Sequence, residues 1–248
     1  MRQLMGSELT QYNNLASIYD ELTDDHDLDG WISIIEQFKQ RQHESILDLG
    51  CGTGKLLKHD TLSNQFKRRV GIDLSESMIN LAQTKSNQVE YHVMDMVEMK
   101  FNETFDMLTC LCDSLNYVTE IDSVHQLFKQ AFNHLSPDGV LIFDVHTLEK
   151  VKLFTDGVFY EDREEIFYHW TSDVDDDGYI DHELTFFVKK DELFERFDEF
   201  HTQRTFSKEM YLNLLEDVGF SRIEVFYDFN REDVHYNNQH RMFFAAFK

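Results

Sequence analysis

The stretch SILDLGCGTGK, residues 45–55, runs a short apolar segment straight into three glycines within five positions. Ile46, Leu47 and Leu49 read as a strand buried on both faces, and glycines at that density let a ligand approach the main chain. The fold follows from what surrounds this strand and loop, and the function from what the loop holds.

Downstream of the loop the chain alternates. A helix is expected from Lys55 to about Leu62, then a strand in RRVGIDLS (68–75) and a helix in ESMINLAQTKS (76–86) with Met78, Leu81 and Ala82 on one face. VEYHVMDM (89–96) is a third strand, and FDMLTCLCDSLNY (105–117) a fourth, apolar at its centre. Ile121, Val124, Leu127, Phe128, Ala131, Phe132 and Leu135 mark an amphipathic helix that Ser136-Pro137-Asp138-Gly139 stops before a fifth strand, VLIFDVH (140–146). Four alternations in a row demand an α/β fold: a doubly wound parallel sheet with helices on both faces and right-handed crossovers.

The rhythm changes afterwards. Residues 164–206 alternate with period two about Gly178, as antiparallel strands do. SKEMYLNLLEDVGF (207–220) is a helix with Ser207 as N-cap and Gly219 just past its end. RIEVFYDF (222–229) and RMFFAAFK (241–248) close the chain as strands, and YNNLASIYDEL and WISIIEQFKQ open it as helices. The expectation is one domain, 1–248, with a helical cap over 1–44 and an antiparallel lid insertion over 155–205.

Composition narrows the function. The 248 residues carry a formal net charge of −24, which repels polyanions and disfavours nucleic-acid partners. Residues 155–200 hold 16 acidic and 4 basic side chains, net −12, half of that total. Such a segment is either a solvated acidic face or a surface that draws in a cationic or amine substrate. No apolar stretch is long enough for a membrane span, the N-terminus lacks a signal-peptide core, and three cysteines at no zinc-like spacing suit a reduced cytoplasm. No metal site is expected. Asp173, Asp175, Asp177 and Gly178 imitate a calcium loop, but Leu184 stands where its glutamate belongs, so an Asp-Gly hairpin turn is the better reading.

Three ligands compete for the glycine loop. A Walker loop would need glycine at 49 and a hydroxyl at 56, where leucines stand. A dinucleotide fingerprint would need a third glycine where Lys55 stands, and Asp48 would repel a pyrophosphate. S-adenosylmethionine carries a sulfonium and an ammonium but no phosphate, and it suits acidic residues at successive strand ends. Asp73 can accept both ribose hydroxyls. Asp95 can accept the adenine amino group beside the Met96 N–H, and Met78 can pack on the adenine face.

With these pieces in place the chain resembles the class I S-adenosylmethionine-dependent methyltransferases, through ILDLGCGTGK, VGIDLSESMI, VMDM and FDMLTCLCDSLNY. YNNLASIYD followed by Trp31 is similar to small bacterial members in which a helical N-terminus closes over the cofactor. The resemblance implies a seven-stranded sheet in the order 3-2-1-4-5-7-6 with strand 7 antiparallel. It implies Asp48, Gly50, Cys51 and Gly52 near the methionine moiety and Asp73 on the ribose. Leu74, Met78, Asp95 and Met96 would surround the adenine, with Leu111 and Cys112 beneath the cofactor and Tyr12, Tyr19 and Trp31 closing over it.

Methyl transfer needs an aligned nucleophile and exclusion of water more than a particular side chain. His146, past the fifth strand, is the candidate general base or else a structural ring. Asp113, Asn116 and Tyr117 are candidates for orienting substrate. Phe167, Tyr168, Trp170, Phe186 and Phe187 could roof the pocket or pack the insertion's own core. His201 lies on a strand leading back to the main domain with Arg204, which could hold a substrate carboxylate or pair with the acidic insertion. No Pro-Pro follows the fourth strand and no Pro-Cys exists, so the signatures of enzymes acting on nucleic-acid bases are missing. A small-molecule acceptor is the leading expectation. A methyltransferase acting on protein or tRNA, a non-catalytic cofactor-binding regulator and a nicotinamide-dependent oxidoreductase are the alternatives.

Overall fold

The computed structural model describes residues 15–23, 28–175, 177–232 and 239–248. Its main sheet is built from β1 (Ser45–Leu49), β2 (Arg68–Asp73), β3 (Glu90–Val93), β4 (Phe105–Cys110), β5 (Leu135–His146), β10 (Arg222–Tyr227) and β11 (Arg241–Phe247). They lie in the order β3-β2-β1-β4-β5-β11-β10, with β11 antiparallel to both its neighbours. The order is the one the resemblance implies. The first five strands are parallel; helices fill three of the four crossovers, and β3 runs to β4 through residues 94–104 without one.

Two buried layers sandwich this sheet. On one face Leu47, Leu49, Val70, Ile72, Leu108, Phe143 and Phe244 pack with α6 (Ile121–His134) and α8 (Lys208–Val218). On the other, Ile46, Met107, Ile142 and Phe243 meet α2 (Leu28–Phe38), α3 (Lys55–Lys58), α4 (Asp60–Gln65) and α5 (Glu76–Lys85). Alternate residues of each strand supply the two faces, which is why the central strands read as unbroken apolar runs. Ser207 caps α8 by accepting from the Met210 N–H at 3.2 Å, and Gly219 ends it in the left-handed region, both as expected.

Local departures have local causes. The helix expected through residue 62 breaks at His59, whose ψ of 139° is extended and whose ring caps α4 by accepting from Thr61 N–H. The inward face of α5 is Met78, Ile79 and Ala82, leaving Leu81 half-buried. β3 stops at Val93, so Asp95 lies beyond the strand rather than at its end. Ser136–Gly139 bulge where the register jumps from Phe105↔Leu135 to Met107↔Val140, placing four residues opposite one.

Between α7 (Leu148–Lys152), which follows β5, and α8 stands a four-stranded antiparallel sheet: β6 (Gly157–Asp162), β7 (Ile166–Val174), β8 (Tyr179–Lys190) and β9 (Leu193–Arg204). Gly178, at φ +81°, turns β7 into β8, and the Asp175 carboxylate accepts the N–H groups of Asp177 and Tyr179. The aspartates thus build a turn, and among the described residues no cluster of metal-binding side chains occurs. β6, mostly exposed, carries no alternation that would have announced it. The inner face of this sheet meets α1 (Ala16–Leu22), where Leu15 and Ile18 pack on Ile166 and Phe186. Phe167 and Phe187 pair across the outer face, 6.1 Å between ring centres, and cannot roof anything beneath. Among the described residues no helix is long and apolar enough to cross a membrane.

Candidate functional site

The C-terminal ends of β1, β2, β4 and β5 meet in a cleft, where ligands of open α/β sheets bind. The glycine loop forms one wall. Gly50 and Cys51 N–H both bind the Ile72 carbonyl, at 2.8 and 2.9 Å, so the loop folds across β2. Gly50, at φ +74°, lies so close to the 3₁₀ turn Ser114–Tyr117 that a Cβ would come within 2.7 Å of Ser114 Oγ. Gly52, at φ +53°, is the opposite case: a Cβ there would meet nothing within 4 Å, because the cleft opens above it.

Carboxylates lie under the loop. Asp73 ends β2, and its two oxygens accept Gly52 N–H and Ser75 N–H at 2.8 Å each, with the Leu74 N–H also close. Burial raises its pKa against these bonds. Asp48, inside β1 and 4% exposed, accepts from Thr109 Oγ1 at 2.7 Å; burial and the Asp73 charge push its pKa up to about 7. Lys55, which follows the loop, is turned away, since its Nζ donates to the Asp20 carbonyl at 2.8 Å. A loop floored by carboxyl groups, with no cation paired to them among the described residues, suits a cationic ligand and repels a phosphate. The residues therefore fit S-adenosylmethionine.

Other expected positions divide. Leu74 is exposed and Met78 enclosed. Asp95 is exposed and accepts from Val97 N–H at 2.7 Å, while Met96 reaches back toward Gly50. Leu111 is buried, and Cys112 is solvent-accessible but walled by protein, with burial and the nearby Asp144 and Asp113 raising its thiol pKa. Tyr19, carried by α1, stands over the cleft; burial and then Cys112, Tyr117, Asp73 and Asp113 push its pKa upward. Asp20 anchors that helix to the loop through Thr53 Oγ1 (2.5 Å) and Lys85. Tyr12 lies outside the described residues.

The opposite wall contains a cluster that motif reading missed. Asp144, wholly buried near the end of β5, accepts from Cys112 N–H (2.8 Å), Asp113 N–H (3.2 Å), Trp31 Nε1 (3.3 Å) and Arg241. Arg241 also grips Asp113 with both terminal nitrogens and lies 5.2 Å over the Trp31 ring. Trp31 is thus fastened to this ion cluster, with its donor engaged there. Cys112 and Asp113 both have left-handed backbones, φ 58° and 62°, a strained pair held by the Asp144 carboxylate. Burial pushes Asp113 up, but the neighbouring His146 and Arg241 outweigh it and hold its pKa below the usual range. The one sequence signal was Asp144 itself, an acid inside an apolar strand, which needs a buried partner.

Beneath the second sheet, His146, Tyr117, Trp170, His182 and His201 cluster near Asp113. His146 Nδ1 is 3.4 Å from Asp113 Oδ1, and burial lowers the His146 pKa. Burial also pushes His182 and His201 down to about 4, so these two rings are neutral near pH 7. His201 meets the edge of Tyr117 at 5.9 Å. Tyr168 bonds Glu161 at 2.9 Å and packs toward α1 rather than beside Asp113. Two expected substrate groups have partners within the fold. Asn116, fully buried, bridges backbone from Arg204 O (2.7 Å) to His146 N–H (3.0 Å). Arg204 gives Nε and Nη1 donors to Asp177 O, Thr119 O and Tyr179 Oη, all at 3.1 Å, which tie it to the neighbouring loops.

Comparison with known proteins agrees with this geometry. Residues 46–139 match the model of a methyltransferase domain family. A Geobacillus sp. (strain WCH70) protein described as a methyltransferase is 36% identical, covering 96% of this chain and 99% of its own. The crystal structure of an S-adenosylmethionine-dependent methyltransferase from Clostridium acetobutylicum ATCC 824 superposes with a TM-score of 0.84 at 30% identity, covering 95% and 98% of the two chains. A dTDP-4-amino-2,3,4,6-tetradeoxy-D-glucose N,N-dimethyltransferase of Saccharopolyspora spinosa is 25% identical over 71% of each chain.

Proposed function

The chain belongs to the S-adenosylmethionine-dependent methyltransferases, and on that premise we propose that it methylates a nitrogen of a small amine. The carrying observation is the Asp113 carboxylate, held charged and partly exposed beside a cluster of aromatic and histidine rings. Two carboxylates share one guanidinium there, so the cluster has net negative charge that a protonated amine would complement. The aromatic walls of Tyr117 and Trp170 favour the same cation. The similarity to an enzyme named for N,N-dimethylation of an amino sugar nucleotide supports a small acceptor.

In this reading Asp73 receives the ribose hydroxyls, and Asp48 with the loop from Gly50 to Gly52 faces the methionine end. Tyr19 and the helical segment before residue 45 close over the cofactor, and the second sheet roofs the acceptor. Asp113 draws the ammonium in and orients the nitrogen, whose proton passes to bulk water before the neutral amine attacks. When bound, the cofactor supplies an electrophilic methyl group: the amine lone pair forms the new N–C bond while the C–S bond breaks and its electrons stay on sulfur. The enclosed wall positions the pair and excludes water, the two factors that such an in-line displacement needs.

Methyl-labelled S-adenosylmethionine tests the proposal against amino sugars, their nucleotide conjugates and polyamines, with protein and tRNA fractions in parallel. Label entering a small amine is expected; label entering only protein or tRNA would overturn it.

A further inference from the structure

The three glycines of the loop meet three different surroundings. Gly50 faces Ser114 and Gly52 the open cleft, but Gly54 faces backward, toward β3. At Gly54, φ +74°, a Cβ would overlap the Tyr91 phenol, 2.7 Å from its Cζ and closer still to its hydroxyl. Tyr91 on β3 is paired with Gly71 of β2, which in turn is paired with Asp48 of β1. Residues paired laterally in a sheet share a face, so these three form one row beneath the loop. The row has a gap, because its middle member has no side chain. Cys51 and the Tyr91 ring fill that gap: a Cβ on Gly71 would come within 2.8 Å of Cys51 Sγ and 2.9 Å of Tyr91 Cδ1. Gly54 N–H donates to the Cys51 carbonyl at 3.0 Å, closing residues 51–54 into a turn. One end of that turn lies beside the ring and the other against its tip.

The ring acts by shape. Its hydroxyl is buried and has no hydrogen-bond partner among the described residues. Burial, then Cys51 and Asp48, raise its pKa, so it carries no charge at neutral pH. We propose that Tyr91, admitted by Gly71, is a seat that sets how far residues 51–54 stand above the sheet, making it a positioning residue for the cofactor. Gly52, between the two seated residues, donates to Asp73 at 2.8 Å and lies under the open part of the cleft. A loop that sank toward β2 and β3 would lengthen that bond and draw the Gly52 main chain away from the ligand. The effect on the cofactor rests on the placement of its methionine end at this loop; the seat itself does not.

Variants of the full chain test the seat. Tyr91→Phe keeps the ring, whereas Tyr91→Val keeps a strand-forming residue and withdraws the support from Gly54. Gly71→Ala is an independent arm: it retains Tyr91, its backbone is not left-handed, and it adds one methyl group where Cys51 and the ring lie. Calorimetry with S-adenosylmethionine, at a temperature where circular dichroism shows each variant folded, should give wild-type affinity for Tyr91→Phe. Tyr91→Val and Gly71→Ala should each bind about tenfold more weakly, as for one misplaced hydrogen bond. A second readout needs no ligand. The Gly52 amide, followed by hydrogen exchange with ¹⁵N-glycine and assigned by Gly52→Ala, should keep its protection in Tyr91→Phe and lose it in the other two variants. A ring that only stabilised the core would lower urea midpoints while affinity and Gly52 protection stayed unchanged in the folded variants, and that result overturns the seat. So does a Tyr91→Phe that loses as much as Tyr91→Val, since the role would then belong to the hydroxyl. If Asp73→Ala binds the cofactor like wild type while Gly52 protection still follows the ring, the cofactor placement fails and the seat stands.

Discussion

Replacing Asp48 by asparagine isolates the electrostatics of the glycine loop. Asp48 is almost fully buried and accepts from Thr109, and burial with the Asp73 charge raises its pKa from 3.8 to about 7. At pH 6 about a tenth of such a carboxyl is ionised and at pH 8 about nine-tenths. If the cationic end of the cofactor sits over this loop, binding needs the ionised form. Wild-type affinity should then tighten by about tenfold from pH 6 to pH 8, or about 1.4 kcal/mol. Asp48→Asn should lack this rise. The cofactor's own amine titrates equally against both proteins, so the difference between the two pH profiles belongs to Asp48. Calorimetric titration with S-adenosylmethionine over that range measures it. Linkage fixes a second sign in the cofactor-free protein. An unfolded Asp48 loses its proton near its ordinary value, whereas the folded one keeps it until about pH 7. Its contribution is therefore complete below the unfolded pKa and is lost as pH rises through the folded one, by at most about 4 kcal/mol. Urea midpoints of wild type and Asp48→Asn should diverge over that window. Parallel pH profiles for the two proteins, in binding and in stability alike, would refute the reasoning.

Three further outcomes follow from the same geometry. Asp73→Ala should weaken cofactor binding by roughly a hundredfold or more in calorimetry, because bonds to a charged acceptor contribute about 1.5–3 kcal/mol each and two ribose hydroxyls lose theirs. Gly50→Ala and Gly52→Ala should separate stability from binding: the first meets Ser114 at 2.7 Å and lowers the urea midpoint, while the second, in open space, costs about 1–2 kcal/mol from its left-handed φ and weakens cofactor binding by more than that. Arg241→Met should destabilise by about 3–5 kcal/mol, since it leaves Asp113 and Asp144 together without a cation. Protonation of one carboxyl relieves that repulsion, so the loss should shrink as pH falls toward 5 in thermal-unfolding scans.

Which of these features a reader of the sequence could foresee depends on how far apart their parts lie in the chain. The main sheet was legible because its central strands, buried on both faces, are continuous apolar runs, and because β1, β2 and β4 are followed by helices with their own period. Ser207 and Gly219 marked α8 for the same local reason. The cofactor wall was legible too, since Asp48, the glycines and Asp73 fall within 26 positions, and the β2 end had to stand beside the loop. Trp31, Asp113, Asp144 and Arg241 come from four distant segments, and only the closed sheet joins them. In the second sheet, aromatic residues on both faces hid which side was inward, so Phe167 and Phe187 looked equivalent to Tyr168 and Phe186. Asn116 and Arg204 looked like substrate groups because exposed-type residues after a strand commonly are, whereas here backbone groups of neighbouring loops take their hydrogen bonds. His146 was foreseeable as a histidine at the site, since it directly follows the fifth strand.

A crystal structure of the protein with S-adenosylmethionine bound tests the account most directly. It should place the ribose hydroxyls on Asp73, the cationic end above Gly52 and Asp48, and the transferable methyl pointing toward Asp113 and Tyr117. A cofactor bound away from Asp73, or one whose methyl faces away from Asp113 into open solvent, would contradict it.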